Sequence, residues 1–199
     1  MLRYLWLLLL IISSESLLAN AGGELSAMKH CAACHGPMGV SARPDSPNLA
    51  GLSPSYIVKQ LKLYRDGHRE HELMNVVTRN LDDSNIQELA SWYSSLDVEV
   101  TYWNPTKNEQ VAQTCAACHG LVGISKNPDA PTLAGQPQFY LVDRLKQIRV
   151  DSKHVDAGMA AIASKLSDEE TKQVVDWYSS IRIQAYRPWG LLSDYCCRF

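Results

Sequence analysis

Cys31-Ala-Ala-Cys-His-Gly36 recurs, residue for residue, as Cys115-Ala-Ala-Cys-His-Gly120. Residues three apart share one face of a helical turn, so Cys31 and Cys34 can reach one edge of a flat macrocycle while His35 projects beneath it. Cys115, Cys118 and His119 repeat the arrangement. Cys-x-x-Cys-His is the attachment signature of c-type haem: two thioether bonds and one axial histidine. A zinc site would need four ligands at tetrahedral spacing, and no second Cys or His pair follows either motif. A redox dithiol would require neither the histidine nor the duplication. The sequence therefore predicts two covalently bound haem c groups and points to electron transfer.

Working outward, an offset of 84 residues superimposes the two halves: Gly39, Pro47, Leu49, Ala50, Gly51, Tyr56, Leu61 and Arg65 fall on Gly123, Pro131, Leu133, Ala134, Gly135, Tyr140, Leu145 and Arg149. One extra residue then enters the second half, after which Met74, Leu81, Trp92 and Tyr93 fall on Met159, Leu166, Trp177 and Tyr178. Two tandem domains are expected, at 22–100 and 108–183, joined by a linker at 101–107 and followed by a tail at 184–199. Each is close to the size at which an apolar core alone is marginal, and a buried haem would supply the missing area.

The elements read as helical. Ser53-Pro54 is a cap followed by proline at the first helical position, and Gly67 is placed to stop that helix. Asp82 can cap a later helix, Ser167 to Glu170 is a capping box, and so is Thr106 to Glu109 before the second motif. Val174, Val175, Tyr178 and Ile181 form an apolar stripe at helical spacing. No stretch carries the hairpin signals of a sheet, so the fold is expected to be all-α, with Gly36–Gly51 and Gly120–Gly135 as loops that wrap a cofactor.

The first 21 residues have one positive charge before an apolar run, Leu5 to Ile12, and a small-x-small site at Ala19-Asn20-Ala21. This reads as a cleaved secretory signal, in a run shorter than the roughly 20 residues that span a bilayer. A periplasmic location follows, since c-type haem is attached outside the bacterial cytoplasm. The net charge of −2, without a basic stripe, argues against nucleic acid as a partner. Of six cysteines, four belong to the haem motifs, leaving the adjacent Cys196 and Cys197. In an oxidising compartment such thiols do not remain reduced; they can link chains, pair with each other or react with another thiol.

The sixth iron position decides between carrier and enzyme: filled, it suits electron transfer; open, it admits oxygen or peroxide. Met74 lies 39 residues after His35 and Met159 lies 40 after His119, and of the five methionines only these two match between the halves. They are the expected axial ligands opposite His35 and His119. His68, His71 and His154 are rivals without matched positions, and His30 is too near Cys31 to cross the ring. A ligand histidine donates its second ring N–H to a fixed acceptor, a role the backbone carbonyls near Pro47 and Pro131 can fill.

On both haem motifs, Pro-Asn-Leu-Ala-Gly at 47–51, Pro-Thr-Leu-Ala-Gly-Gln at 131–136, the helices near Tyr56 and Tyr140 and the two methionine segments, the chain resembles the cytochrome c4 family over residues 24–183. The resemblance implies two class I cytochrome c domains about a pseudo-twofold axis and histidine–methionine ligation at both irons. It also implies that the carbonyls of Pro47 and Pro131 take the histidine N–H. It further implies a periplasmic carrier, not an enzyme, that moves electrons from a quinol-oxidising complex toward a terminal oxidase, with peripheral membrane association possible. Residues 182–199 have no evident counterpart in the first half and suggest a second role, as the electron-accepting subunit of a partner such as a flavoprotein sulfide dehydrogenase. A dihaem peroxidase is disfavoured by the paired methionines.

Overall fold

The structure, a computed structural model, describes residues 22–104 and 109–187. The expected signal segment, the Thr106 cap and the Cys196-Cys197 pair lie outside these residues. The chain forms a helix over 22–30 (α1), α2 (Ala32–His35), α3 (Pro54–Arg65), α4 (Glu72–Thr78), α5 (Asp83–Ser94) and β1 (Asp97–Tyr102). The second half repeats the series as α6 (Glu109–His119), α7 (Gln138–Val150), α8 (Ala157–Lys165), α9 (Asp168–Ser180) and β2 (Arg182–Tyr186).

Local chemistry sets the helix ends. The Ser53 hydroxyl accepts from the Tyr56 N–H, with Pro54 at the first helical position. Asp82 with Asn85, and Ser167 with Glu170, each form reciprocal capping boxes. These satisfy amide donors that a helix start leaves without intrahelical partners. α3 ends at Arg65, and Gly67 takes a φ of 73° just beyond it. The matched arginines fasten each half: Arg65 pairs with Asp83 at 2.7 Å, and Arg149 donates to the Leu166 carbonyl at 2.8 Å.

Two apolar cores result. Leu52, Ile57, Leu89, Trp92 and Tyr93 anchor the first; Leu141, Leu145, Val175, Trp177 and Tyr178 anchor the second. The mostly helical architecture is the one expected, but it includes a two-stranded antiparallel ribbon that the sequence reading did not anticipate. β1 pairs with β2, setting Val98 opposite Ala185 and Val100 opposite Ile183. Both strands alternate, Asp-Val-Glu-Val-Thr-Tyr and Arg-Ile-Gln-Ala-Tyr. No turn marks the pair in the sequence, because 79 residues separate the strands. β2 stands to the second half as β1 does to the first, so residues 182–186 do have a counterpart.

The ribbon bridges the halves. Val98 and Ala185 pack on the first core, whereas Val100, Trp103 and Ile183 pack on the second. The Trp103 ring meets Trp177 edge-on, with centroids 5.9 Å apart. Arg187 lies over the Trp92 ring at 4.4 Å and pairs with Glu24.

Candidate functional site

His35 closes α2 and His119 closes α6, and both are buried. His35 Nδ1 donates to the Pro47 carbonyl at 2.8 Å; His119 Nδ1 donates to the Pro131 carbonyl at 2.8 Å. A carbonyl only accepts, so each Nδ1 carries the hydrogen and the Nε2 lone pair of the neutral ring remains available to a metal. Burial holds both imidazoles below the ordinary histidine value, against the opposing pull of the carbonyl bond. The neutral, ligating form is therefore the favoured one.

The loop that carries each proline is built twice in the same way. Leu49 and Leu133 donate to the carbonyls of Gly39 and Gly123 at 2.8 and 2.7 Å. The Ser41 hydroxyl donates to the Cys34 carbonyl at 2.7 Å, and Ser125 to Cys118 at 2.8 Å. These serines hold the loop against the haem motif. Their matched spacing in the two halves was the available signal, yet nothing in a serine alone announces the role.

Gly39 and Gly123 adopt φ values of 66° and 74°. A Cβ at Gly39 would stand 2.9 Å from the Tyr93 ring, and one at Gly123 would stand 2.9 Å from Tyr178. Only glycine combines that backbone with that approach. The Tyr93 hydroxyl lies against the Cys31 thiol and has no oxygen or nitrogen partner, whereas Tyr178 donates to the Gly120 carbonyl at 3.2 Å. Burial pushes the Cys31 thiol up to about 11 and raises Cys115 as well.

Met74 and Met159 occupy the same place in their halves, the third position of a short helix. The Met74 N–H is capped by His71 Nδ1 at 3.3 Å, and the Met159 N–H by Asp156 at 3.0 Å. Both side chains are half-buried. His71 is thus engaged as a cap. His68 and His154 are exposed and stack on each other across the two halves, centroids 4.8 Å apart. His30 is exposed on α1.

Between the halves, Arg69 lies over the Tyr64 ring at 4.5 Å and donates to Gln60 at 2.6 Å. Its buried Nε has no partner. Arg144, from the other half, donates to Gln147 at 3.2 Å; burial and the Arg69 charge hold its guanidinium below the usual arginine value. Neither forms an ion pair among the described residues. Burial also pushes the Tyr64 phenol up to about 12. Two half-buried guanidinium groups without a carboxylate partner among the described residues make this interface suited to an anionic group.

The donor set fits a covalently held haem in each half: paired thiols on one turn and a neutral imidazole with a fixed Nδ1–H; two guanidinium groups without an ion pair among the described residues stand at the boundary. Comparison with known proteins agrees. Residues 19–97 match the cytochrome c family model, and residues 106–177 match that of cytochrome c oxidase, cbb3-type, subunit III. Cytochrome c4 of Thiocapsa roseopersicina is 32% identical over 178 residues, covering 80% of this chain and 91% of that one. A thiosulfate dehydrogenase electron acceptor of Stutzerimonas stutzeri is 28% identical over 179 residues, covering 80% of this chain and 82% of the relative. The crystal structure of reduced recombinant cytochrome c4 from Pseudomonas stutzeri superimposes with a TM-score of 0.72 at 26% identity, covering 82% of this chain and 98% of that one. With both halves matched, the chain belongs to the cytochrome c4 family and is a dihaem electron carrier with two covalently bound haem c groups.

Proposed function

We propose that Cys31 and Cys34 hold one haem, with His35 and Met74 as axial ligands, and that Cys115 and Cys118 hold the other, with His119 and Met159. Pro47 and Pro131 fix the imidazole orientation through their carbonyls. The observation that supports this reading best is the paired 2.8 Å bond from each histidine to its proline carbonyl. The haem supplies a one-electron couple; the protein supplies ligation, burial and tuning. Each Nδ1–H bond keeps its ring in the ligating tautomer and raises its basicity. Each methionine, presented from a capped helix start, gives a higher potential than a second histidine would. Arg69 and Arg144 supply positive charge suited to the propionate carboxylates. The haem-bearing domains are 22–100 and 108–183, with β1 and β2 running across their C-terminal bounds, and the chain acts in the periplasm after loss of residues 1–21.

In this reading the protein receives electrons from a quinol-oxidising complex and passes them toward a terminal oxidase. A second reading, as acceptor for a thiosulfate-oxidising enzyme, is favoured by the similarity to a thiosulfate dehydrogenase electron acceptor. It shares with the flavoprotein alternative the role of electron acceptor for a partner redox enzyme. Stopped-flow reduction separates the two. The first reading expects rapid reduction by quinol-energised membranes and none by thiosulfate with soluble extract; the reverse result establishes the second.

A further inference from the structure

The peptide bond between Pro47 and Asn48 is engaged at both ends. Its carbonyl, on Pro47, accepts from His35 Nδ1 at 2.8 Å. Its N–H, on Asn48, donates to Gln136 Oε1 at 2.9 Å. Gln136 belongs to the other half of the chain, and its Nε2 returns a bond to the Asn48 carbonyl at 3.0 Å and a second to the Thr132 carbonyl at 3.3 Å. The Asn48 side chain donates to the Gly135 carbonyl at 2.8 Å. Asn48 and Gln136 are 2% and 3% exposed, so solvent neither weakens these bonds nor substitutes for them.

We propose that Gln136 is a positioning residue for the first haem: from the second domain it tunes the His35 imidazole through the Pro47–Asn48 peptide. Hydrogen bonds in series polarise one another. An acceptor on the peptide N–H draws that proton outward and leaves the Pro47 carbonyl oxygen more negative. The carbonyl then pulls harder on the His35 Nδ1–H, which makes the ring a stronger electron donor and favours the oxidised iron. Gln136 therefore lowers the potential of the first haem. The second haem lacks this control. The repeat puts Leu52 where Gln136 stands, and a leucine side chain accepts no hydrogen bond. Domain contact thus makes two near-identical haem motifs electronically unequal.

The inference rests on His35 being an axial ligand, and the experiment separates the two. Gln136→Leu removes the acceptor, and Gln136→Glu replaces it with a stronger one. Both are purified with two covalent haems and studied by redox titration and by proton NMR of the ferric and ferrous forms. Gln136→Leu should raise the midpoint potential of the first haem, and Gln136→Glu should lower it, with the second unmoved. A purely structural role would move both variants in the same direction. The His35 Nδ1–H resonance should move upfield in the leucine variant and downfield in the glutamate variant. Unchanged potentials, or shifts of one sign in both variants, would overturn the proposal. Should a variant fail to assemble, the unsubstituted protein decides: a hydrogen-bond scalar coupling between the Asn48 amide and Gln136 supports the link, and an Asn48 amide that exchanges freely with solvent refutes it. Absence of hyperfine-shifted His35 ring signals in the ferric protein would refute the ligation itself; shifted signals that ignore residue 136 refute only the coupling.

Discussion

Val98 stands opposite Ala185 in the ribbon, and the two pack together on the first core, while Val100 and Ile183, the next pair on the same face, pack on the second. One face of a two-stranded ribbon therefore closes both cores. Truncation after Ile181 removes the strand that carries Ile183 and Ala185. Burying a side chain such as isoleucine contributes roughly 1.5–3 kcal/mol, so the loss of stability should be at least of that order and should be felt in both domains. Truncation after Arg187 keeps both strands, so it should be the more stable of the two shortened forms. Chemical denaturation followed at the haem bands checks both, and a stable protein ending at Ile181 would show that the ribbon is dispensable.

Met74 and Met159 start their helices in the same way, so both irons should be six-coordinate and low-spin. The oxidised protein should show the weak near-infrared band of a sulfur–iron bond. Met74→Ala and Met159→Ala should each remove about half of it and open a site for carbon monoxide. An intact band in Met74→Ala would make His71 the residue to test next.

Gly39 and Gly123 sit at φ values of 66° and 74° against Tyr93 and Tyr178. Gly39→Ala and Gly123→Ala force a strained backbone and a close contact together. Strain of this kind costs of order 1–3 kcal/mol. Each variant should lower thermal stability and haem incorporation in its own domain, measured by haem-to-protein ratio and melting temperature. Gly67, with nothing within 4 Å of an added Cβ, should tolerate alanine better.

Acid should destabilise the fold through His35 and His119. Burial lowers His35 and His119 below the ordinary value of 6.5. Above that value neither folded nor unfolded chain carries the extra proton. As pH falls below it, the unfolded chain takes up protons that the folded chain refuses, and stability declines until the lowered folded value is passed. Denaturation midpoints should be flat above neutrality and fall from about pH 6.5 downward. A midpoint that rises on acidification across this range would contradict the assignment.

Much of this protein was legible in the sequence because it depends on local chemistry. The haem motifs place two thiols and an imidazole on one turn. Ser53, Asp82 and Ser167 cap their helices through bonds spanning three residues. The repeat, by matching positions, singled out Pro47 and Pro131, whose carbonyls do take the histidine N–H, and it set Met74 and Met159 at matched places, which the structure puts at the same position of their helices. What tertiary structure alone decided is how the halves meet. The β1–β2 pairing joins residues about 85 positions apart, and short alternating segments of this kind pair only when the rest of the chain brings them together. The Asn48–Gln136 bonds span 88 positions, and a buried glutamine looks like any other polar residue until its partner is known. Arg69 and Arg144 converge for the same reason. Attachment chemistry is encoded within a few residues, whereas the environment that makes two identical motifs unequal arises from packing across the chain.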